Sequence, residues 1–152
     1  VGRDIAILTT GRTEIYNTAI NLWNNNRLFG IGWNNFKNSV PQTFWYSRFD
    51  VHNCYLQVLC ETGYLGAVLY YILLVVTIIR LIYCAYLGRE QKLSPVFAFC
   101  IYYIVFFLLY SITGTVLYEY SYYIIFFGCI ILLEKEIRQR RNIHRELNSS
   151  QH

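Results

Sequence analysis

Two residues in the first third of the chain are of types that move protons or hold anions. His52 is the one histidine outside the C-terminal tail, and imidazole titrates where a general base must work near neutral pH. Arg12 falls in the first turn of a predicted helix, where a cation is disfavoured by the helix dipole. A guanidinium there adds positive potential beside free backbone N–H groups, a combination that suits a phosphate. Each has a plainer reading, as a structural histidine and a solvated arginine. Asn53, Gln57 and Glu61 follow at four-residue spacing. On a helix they make one polar stripe, about 12 Å long at ~1.5 Å per residue. Arg3, Arg27, Lys37 and Arg48 have lipid head groups as their default partners.

Other chemistries lack their residues. No Walker loop, Gly-x-Ser-x-Gly elbow or HExxH motif occurs. Asp4 and Asp50 stand alone, so no acidic pair offers a divalent metal to a nucleotide sugar. The Gly30-Ile-Gly32 turn lacks the third glycine of a dinucleotide loop. The five cysteines, Cys54, Cys60, Cys84, Cys100 and Cys129, form no CxxC pair, and three fall in apolar runs. They read as small buried apolar side chains rather than a disulfide framework or a zinc site. The sequence therefore predicts no metal and no cofactor. A formal charge of +4 is too weak and scattered for a nucleic-acid partner.

The elements that must position these residues follow from periodicity. Gly11 is placed to cap a helix whose third residue is Glu14. Ile15, Ala19, Leu22 and Trp23 recur on one face of it, and Asn24–Asn26 ends it. Residues 33–50 are aromatic and irregular, with Trp33, Phe36, Phe44, Trp45, Tyr46 and Phe49. They predict a loop lying at the membrane surface. A second helix is expected to start at Asp50 or just after it, with His52 in its opening turn. It runs almost directly into an apolar segment. A polar stripe at such a membrane entrance faces a cavity or the protein interior rather than lipid.

Composition explains that apolar segment. Of 152 residues, 55% are hydrophobic and 14% charged, against about 25% charged in a soluble domain. Most charges lie before Gly63 or after Leu133. Runs near Tyr64–Tyr83, Pro95–Thr113 and Tyr118–Leu133 have the character of spanning helices, which need about 20 apolar residues. Arg80 can snorkel at the end of the first. The fold class expected is an all-α membrane protein. An extracytoplasmic helical and loop segment (1–63) precedes about three transmembrane helices (64–133) and a basic cytoplasmic tail (134–152). Basic residues Arg80, Arg89 and Lys92, and Lys135 to Arg145, place those segments in the cytoplasm. The turn at Gly114–Glu119 has none and belongs outside, with Tyr118, Tyr120, Tyr122 and Tyr123 as an aromatic belt. The chain contains no methionine and reads as the C-terminal part of a longer protein.

Two stretches carry a resemblance. Thr10-Gly-Arg-Thr-Glu14, Trp23, Leu28-Phe-Gly-Ile-Gly32 and Phe36 come first. His52-Asn-Cys-Tyr-Leu-Gln-Val-Leu-Cys-Glu-Thr-Gly63-Tyr-Leu-Gly66 follows. Together they resemble the O-antigen ligase and O-antigen polymerase superfamily, with its Gly-Arg segment, its Gly-x-Gly turn, and His-Asn followed after nine residues by Gly. The family often has a small or acidic residue after that glycine. Tyr64 departs from this, which weighs against the ligase subgroup. The resemblance implies a metal-independent glycosyltransferase of the bacterial cytoplasmic membrane, working on its outer side. It would move a glycan from a polyprenyl diphosphate carrier to an acceptor hydroxyl, polymerising surface polysaccharide repeat units or ligating the glycan to a lipid core or a protein. It assigns the essential arginine to Arg12 and the histidine to His52, and expects a further arginine upstream. Asn53, Gln57 and Glu61 are then the candidate substrate-binding residues. A non-catalytic transporter or scaffold segment is the rival class, and it would need neither Arg12 nor His52.

Overall fold

The computed structural model describes residues 12–43, 45, 49–89, 94–114 and 116–149, the side chains of 146–149 aside. Gly11, Arg3, Asp4, Phe44, Tyr46, Arg48 and Lys92 lie outside the described residues. All regular elements among those described are helical. The chain divides into two compact units: Val1–Tyr71 with Tyr110–Glu119, and Ile72–Leu109 with Tyr120–His152.

The first unit begins with α1 (Arg12–Asn25). Its apolar face is the expected one, with Ile15 and Ala19 buried. It stops where Asn26 donates its backbone N–H to Trp23 C=O (2.9 Å) and its side-chain amide to Leu22 C=O (3.1 Å). A single turn, α2 (Phe36–Ser39), interrupts the aromatic segment. Phe36 is fully buried there, in a core with Ile15, Ala19, Val40, Val51 and Cys60. This corrects the expectation that the whole of 33–50 lies on a surface.

The next helix, α3 (Cys54–Leu87), starts later than expected. Asn53 is its cap, accepting the Leu56 N–H at 3.0 Å through Oδ1. His52 sits outside the helix at φ 54°, in the left-handed region that no helical residue occupies. The apolar part of α3 follows a break at Gly63 (φ 63°, ψ −162°). Helix α4 (Pro95–Thr113) has the predicted bounds, with Pro95 at the first position that tolerates it. A 3₁₀ turn, Val116–Tyr118, leads to α5 (Tyr120–Ser149). The basic tail is thus the second half of one continuous helix.

Two helices, α3 and α4, are long and apolar enough to cross a membrane. Both expose large apolar side chains along their length, among them Leu69, Ile82, Tyr102 and Leu109. Such surface is rare on a protein that meets only water. The apolar start of α5 before Glu134 spans about 14 residues, or ~21 Å, less than the ~30 Å of a bilayer core.

Within the second unit, packing is aromatic. Phe107 stacks on Phe126 at 4.5 Å between centroids and meets Tyr123 edge-on at 5.5 Å. Tyr103 donates its hydroxyl to Tyr122 C=O (2.9 Å). Arg80 pairs with Glu134 at 2.5 Å, so its charge has a protein partner. Arg140 is buried, held by Glu136 at 3.0 Å, lying over the Phe97 ring and reaching Cys84 C=O at 3.4 Å. The same carbonyl also accepts the Gly88 backbone N–H at 3.1 Å, so Arg140 is its second donor at the end of α3. All five cysteines are free and buried, as small apolar side chains would be.

Candidate active site

The site is built around the helix break at Gly63. In an unbroken helix, Tyr64 and Leu65 would donate their N–H groups to Cys60 and Glu61 C=O. Instead Tyr64 N–H goes to Arg27 C=O (2.8 Å) and Leu65 N–H to Leu28 C=O (3.3 Å). The two released carbonyls are taken by the Gly-x-Gly turn: Ile31 N–H donates to Cys60 C=O (3.1 Å) and Gly32 N–H to Glu61 C=O (2.9 Å). Loop and helix exchange four backbone hydrogen bonds, so no polar group at the break is lost. The approach leaves no room for a side chain on either strand of the contact. A Cβ on Gly30 would strike the Glu61 carbonyl, and one on Gly63 would come within 2.5 Å of Gly30 N and Leu28 C. Both glycines also hold positive φ.

A buried carboxylate fastens the same loop. Glu61, 1% exposed, accepts Asn34 N–H at 2.8 Å and Phe36 N–H at 3.3 Å. It also accepts the Tyr118 hydroxyl at 2.5 Å. Gln57 Nε2 donates to Tyr118 Oη (2.9 Å) and lies within reach of Glu61 Oε1 (3.3 Å) and Asp50 Oδ1 (3.4 Å). Asp50 is paired with Lys37 at 2.8 Å. Burial, then the hydrogen bond to Glu61, pushes the Tyr118 phenol above its usual range. The polar stripe of α3 therefore serves the protein interior. Neither Gln57 nor Glu61 lines the cavity described next, and Asn53 is occupied as the cap of α3.

Arg12 and His52 do meet at one cavity. It measures about 250 Å³ and is lined, among the described residues, by Arg12, Ile15, Trp45, Phe49 and His52. Forty positions of chain separate the two residues that the sequence singled out. The first turn of α1 brings Arg12, and the left-handed turn before α3 brings His52. Tyr16 donates its hydroxyl to His52 C=O at 3.5 Å, and the Phe49 ring lies 6.1 Å from the imidazole. Trp45 Nε1 donates to Glu14 Oε2 at 2.9 Å, which ties the indole to the first turn of α1. A cation for an anionic group and an imidazole for a proton thus share one space walled by rings. Among the described residues, no cluster of three His, Cys, Asp or Glu side chains could hold a metal ion.

Sequence reasoning left Tyr118, Glu14 and Lys37 without these roles. Tyr118 had been assigned to an aromatic belt, and its contact with Glu61 lies across 57 positions. Only the Glu14–Arg12 proximity in one helical turn was readable in advance.

Residues 6–71 match the family model described as O-Antigen ligase. The matched stretch takes in Arg12, the Gly30–Gly32 turn, His52 and Gly63, the residues that carry the resemblance. No curated protein and no solved structure matches the chain.

Proposed function

We propose that this chain carries part of the catalytic site of a membrane glycosyltransferase that polymerises lipid-linked polysaccharide repeat units. The observation that carries the reading is the convergence of Arg12 and His52 on one cavity. The donor is a glycan on a polyprenyl diphosphate. An acceptor hydroxyl oxygen attacks the anomeric carbon, and the bond from that carbon to the diphosphate oxygen breaks. The diphosphate leaves with the electron pair. Arg12 supplies positive charge where negative charge develops on that leaving group. His52 accepts the hydroxyl proton, or fixes the hydroxyl for its transfer. Gln57 and Glu61 act at one remove, by holding the loop and turn around the site, and Asn53 by setting the start of α3. Polymerisation is preferred to ligation because Tyr64 follows Gly63, where its ring packs edge-on against Trp23 at 5.3 Å.

In this reading α3 and α4 cross the cytoplasmic membrane, and the apolar start of α5 together with the Val116–Tyr118 turn at its outer end makes a short third crossing. Residues 1–63 and the turn at 114–119 face outward, and the basic half of α5 is cytoplasmic. The test uses the full-length protein with lipid-linked repeat units. His52→Ala at normal membrane level should lose about 10²–10⁴ in rate. Arg12→Lys should lose most activity, since it keeps the charge but not the bidentate fork. Turnover within a few-fold of wild type in both His52→Ala and Arg12→Ala would favour the transporter or scaffold reading.

A further inference from the structure

The proposed chemistry uses two of the five described residues at the cavity and leaves its rings unexplained. Trp45 and Phe49 are 56% and 45% exposed, although residues of this size ordinarily seek cover. Their centroids lie 6.0 Å apart with the planes inclined at 59°, so they make an angled wall rather than a stack closed on itself. The wall is held in place. The Trp45 indole is bonded to Glu14, which stands two residues from Arg12 on α1. Phe49 leans on the His52 ring.

We propose that Trp45 and Phe49 form the sugar-binding wall of this cavity, packing the C–H face of one pyranose ring beside the diphosphate, with Glu14 setting the angle of the indole. This rests on the glycosyl-transfer reading and adds to it the subsite that selects the sugar. Three features favour a sugar over a lipid tail. A volume of about 250 Å³ is below the ~300–1,000 Å³ of pockets that enclose drug-sized ligands, a scale that suits a single ring against the wall. The wall is shared with a cation and an imidazole, which a hydrocarbon cannot use. A pyranose offers an apolar C–H face to the rings while its rim of hydroxyls meets polar groups, the usual division of a small-molecule site. Trp45 and Phe49 are thus specificity-determining residues, and Glu14 is a positioning residue.

The experiment is a binding titration on full-length protein in detergent. Two probes are used: the free repeat-unit oligosaccharide released from the host's own surface glycan, and inorganic diphosphate. Wild type should bind both. Trp45→Ala should weaken the oligosaccharide about tenfold and leave diphosphate unchanged. Trp45→Phe should restore oligosaccharide binding to within about threefold of wild type. Glu14→Leu, which removes the acceptor for the indole, should weaken the oligosaccharide by less than Trp45→Ala. Arg12→Ala should show the reverse pattern, losing diphosphate and keeping the oligosaccharide. An unchanged oligosaccharide affinity in Trp45→Ala overturns the proposal while leaving Arg12 and His52 their roles. So does a Trp45→Ala protein that inserts poorly but binds normally, the behaviour of a membrane-interface anchor. Dispensability of Arg12 and His52 in the turnover assay is a separate result, and it would remove the transfer chemistry itself.

Discussion

The two units of this chain are held together by different forces. In the first, directional hydrogen bonds dominate: the four-bond exchange between the Gly-x-Gly turn and the Gly63 break, and the donors gathered on Glu61. In the second, rings and thiols fill the interior, as with Phe107 on Phe126 and the Cys100 thiol on Cys129 C=O. Under the proposed function the contrast follows from the work of each. Apolar helices gain no hydrophobic advantage from one another in lipid and associate through close packing. A site that must present a guanidinium and an imidazole to one small cavity needs its backbone fixed to fractions of an ångström. Buried polar networks supply fixed geometry of that kind, and here the donors converge on Glu61 while Gln57 Oε1 is left without a partner.

Three substitutions break or sharpen this contrast, read through two thiols that are buried in their respective units, Cys60 and Cys100. Single-cysteine versions of the full-length protein, labelled during thermal unfolding, report each unit separately. Gly30→Ala should have the largest effect. It adds a Cβ against the Glu61 backbone at a residue with φ 69°, so a loss on the order of 3–4 kcal/mol is expected. Cys60 should label at markedly lower temperature. Equal acceleration at Cys100 would show that the two units do not differ in this way.

Glu61→Gln comes next. It puts N–H donors among the N–H groups of Asn34 and Phe36 and the hydroxyl of Tyr118, and should cost about 2–3 kcal/mol. The same contact predicts an alkaline limit. The folded state raises the Tyr118 phenol above its ordinary value of 10.0. As pH rises past 10, the unfolded chain releases this proton before the folded one does, so stability falls with pH there. Tyr118→Phe should be less stable at neutral pH but lose less between pH 9 and 11. An identical alkaline slope in the variant would place the titration elsewhere.

The smallest effect belongs to Arg80→Ala. Its ion pair with Glu134 joins side chains that are 46% and 31% exposed. Pairs as open to solvent as this contribute under about 1 kcal/mol. Cys100 labelling should shift by no more than a few degrees, and a larger shift would give this exposed pair a weight that the second unit otherwise places on the buried Arg140.

How legible was this in the sequence? The bounds of α4 could be read directly, since Pro95 opens it and Gly114 follows it. So could the apolar face of α1 and the identity of Arg12 and His52. The start of α3 was misplaced because periodicity extends back to Asp50, whereas Asn53 takes the cap and His52 takes a left-handed conformation that no pattern of apolar residues encodes. The stripe of Asn53, Gln57 and Glu61 was visible as a stripe. Its partners were not, because Asn34, Phe36 and Tyr118 lie 27, 25 and 57 positions from Glu61. Long-range contacts of that kind leave no local trace. Lys37 and Asp50 looked like separate charges for the same reason.

The exchange at Gly63 also imposes a timetable on the growing chain. The amides of Tyr64 and Leu65 stand at the top of the apolar part of α3, and their acceptors are carbonyls made some thirty-seven residues earlier. An amide without an acceptor in an apolar setting costs several kcal/mol. Residues 27–32 must therefore already be in place when that helix settles, so the loop is a prerequisite for the span rather than a decoration added to it. A nascent chain whose loop is delayed or misrouted should stall with the top of α3 undocked.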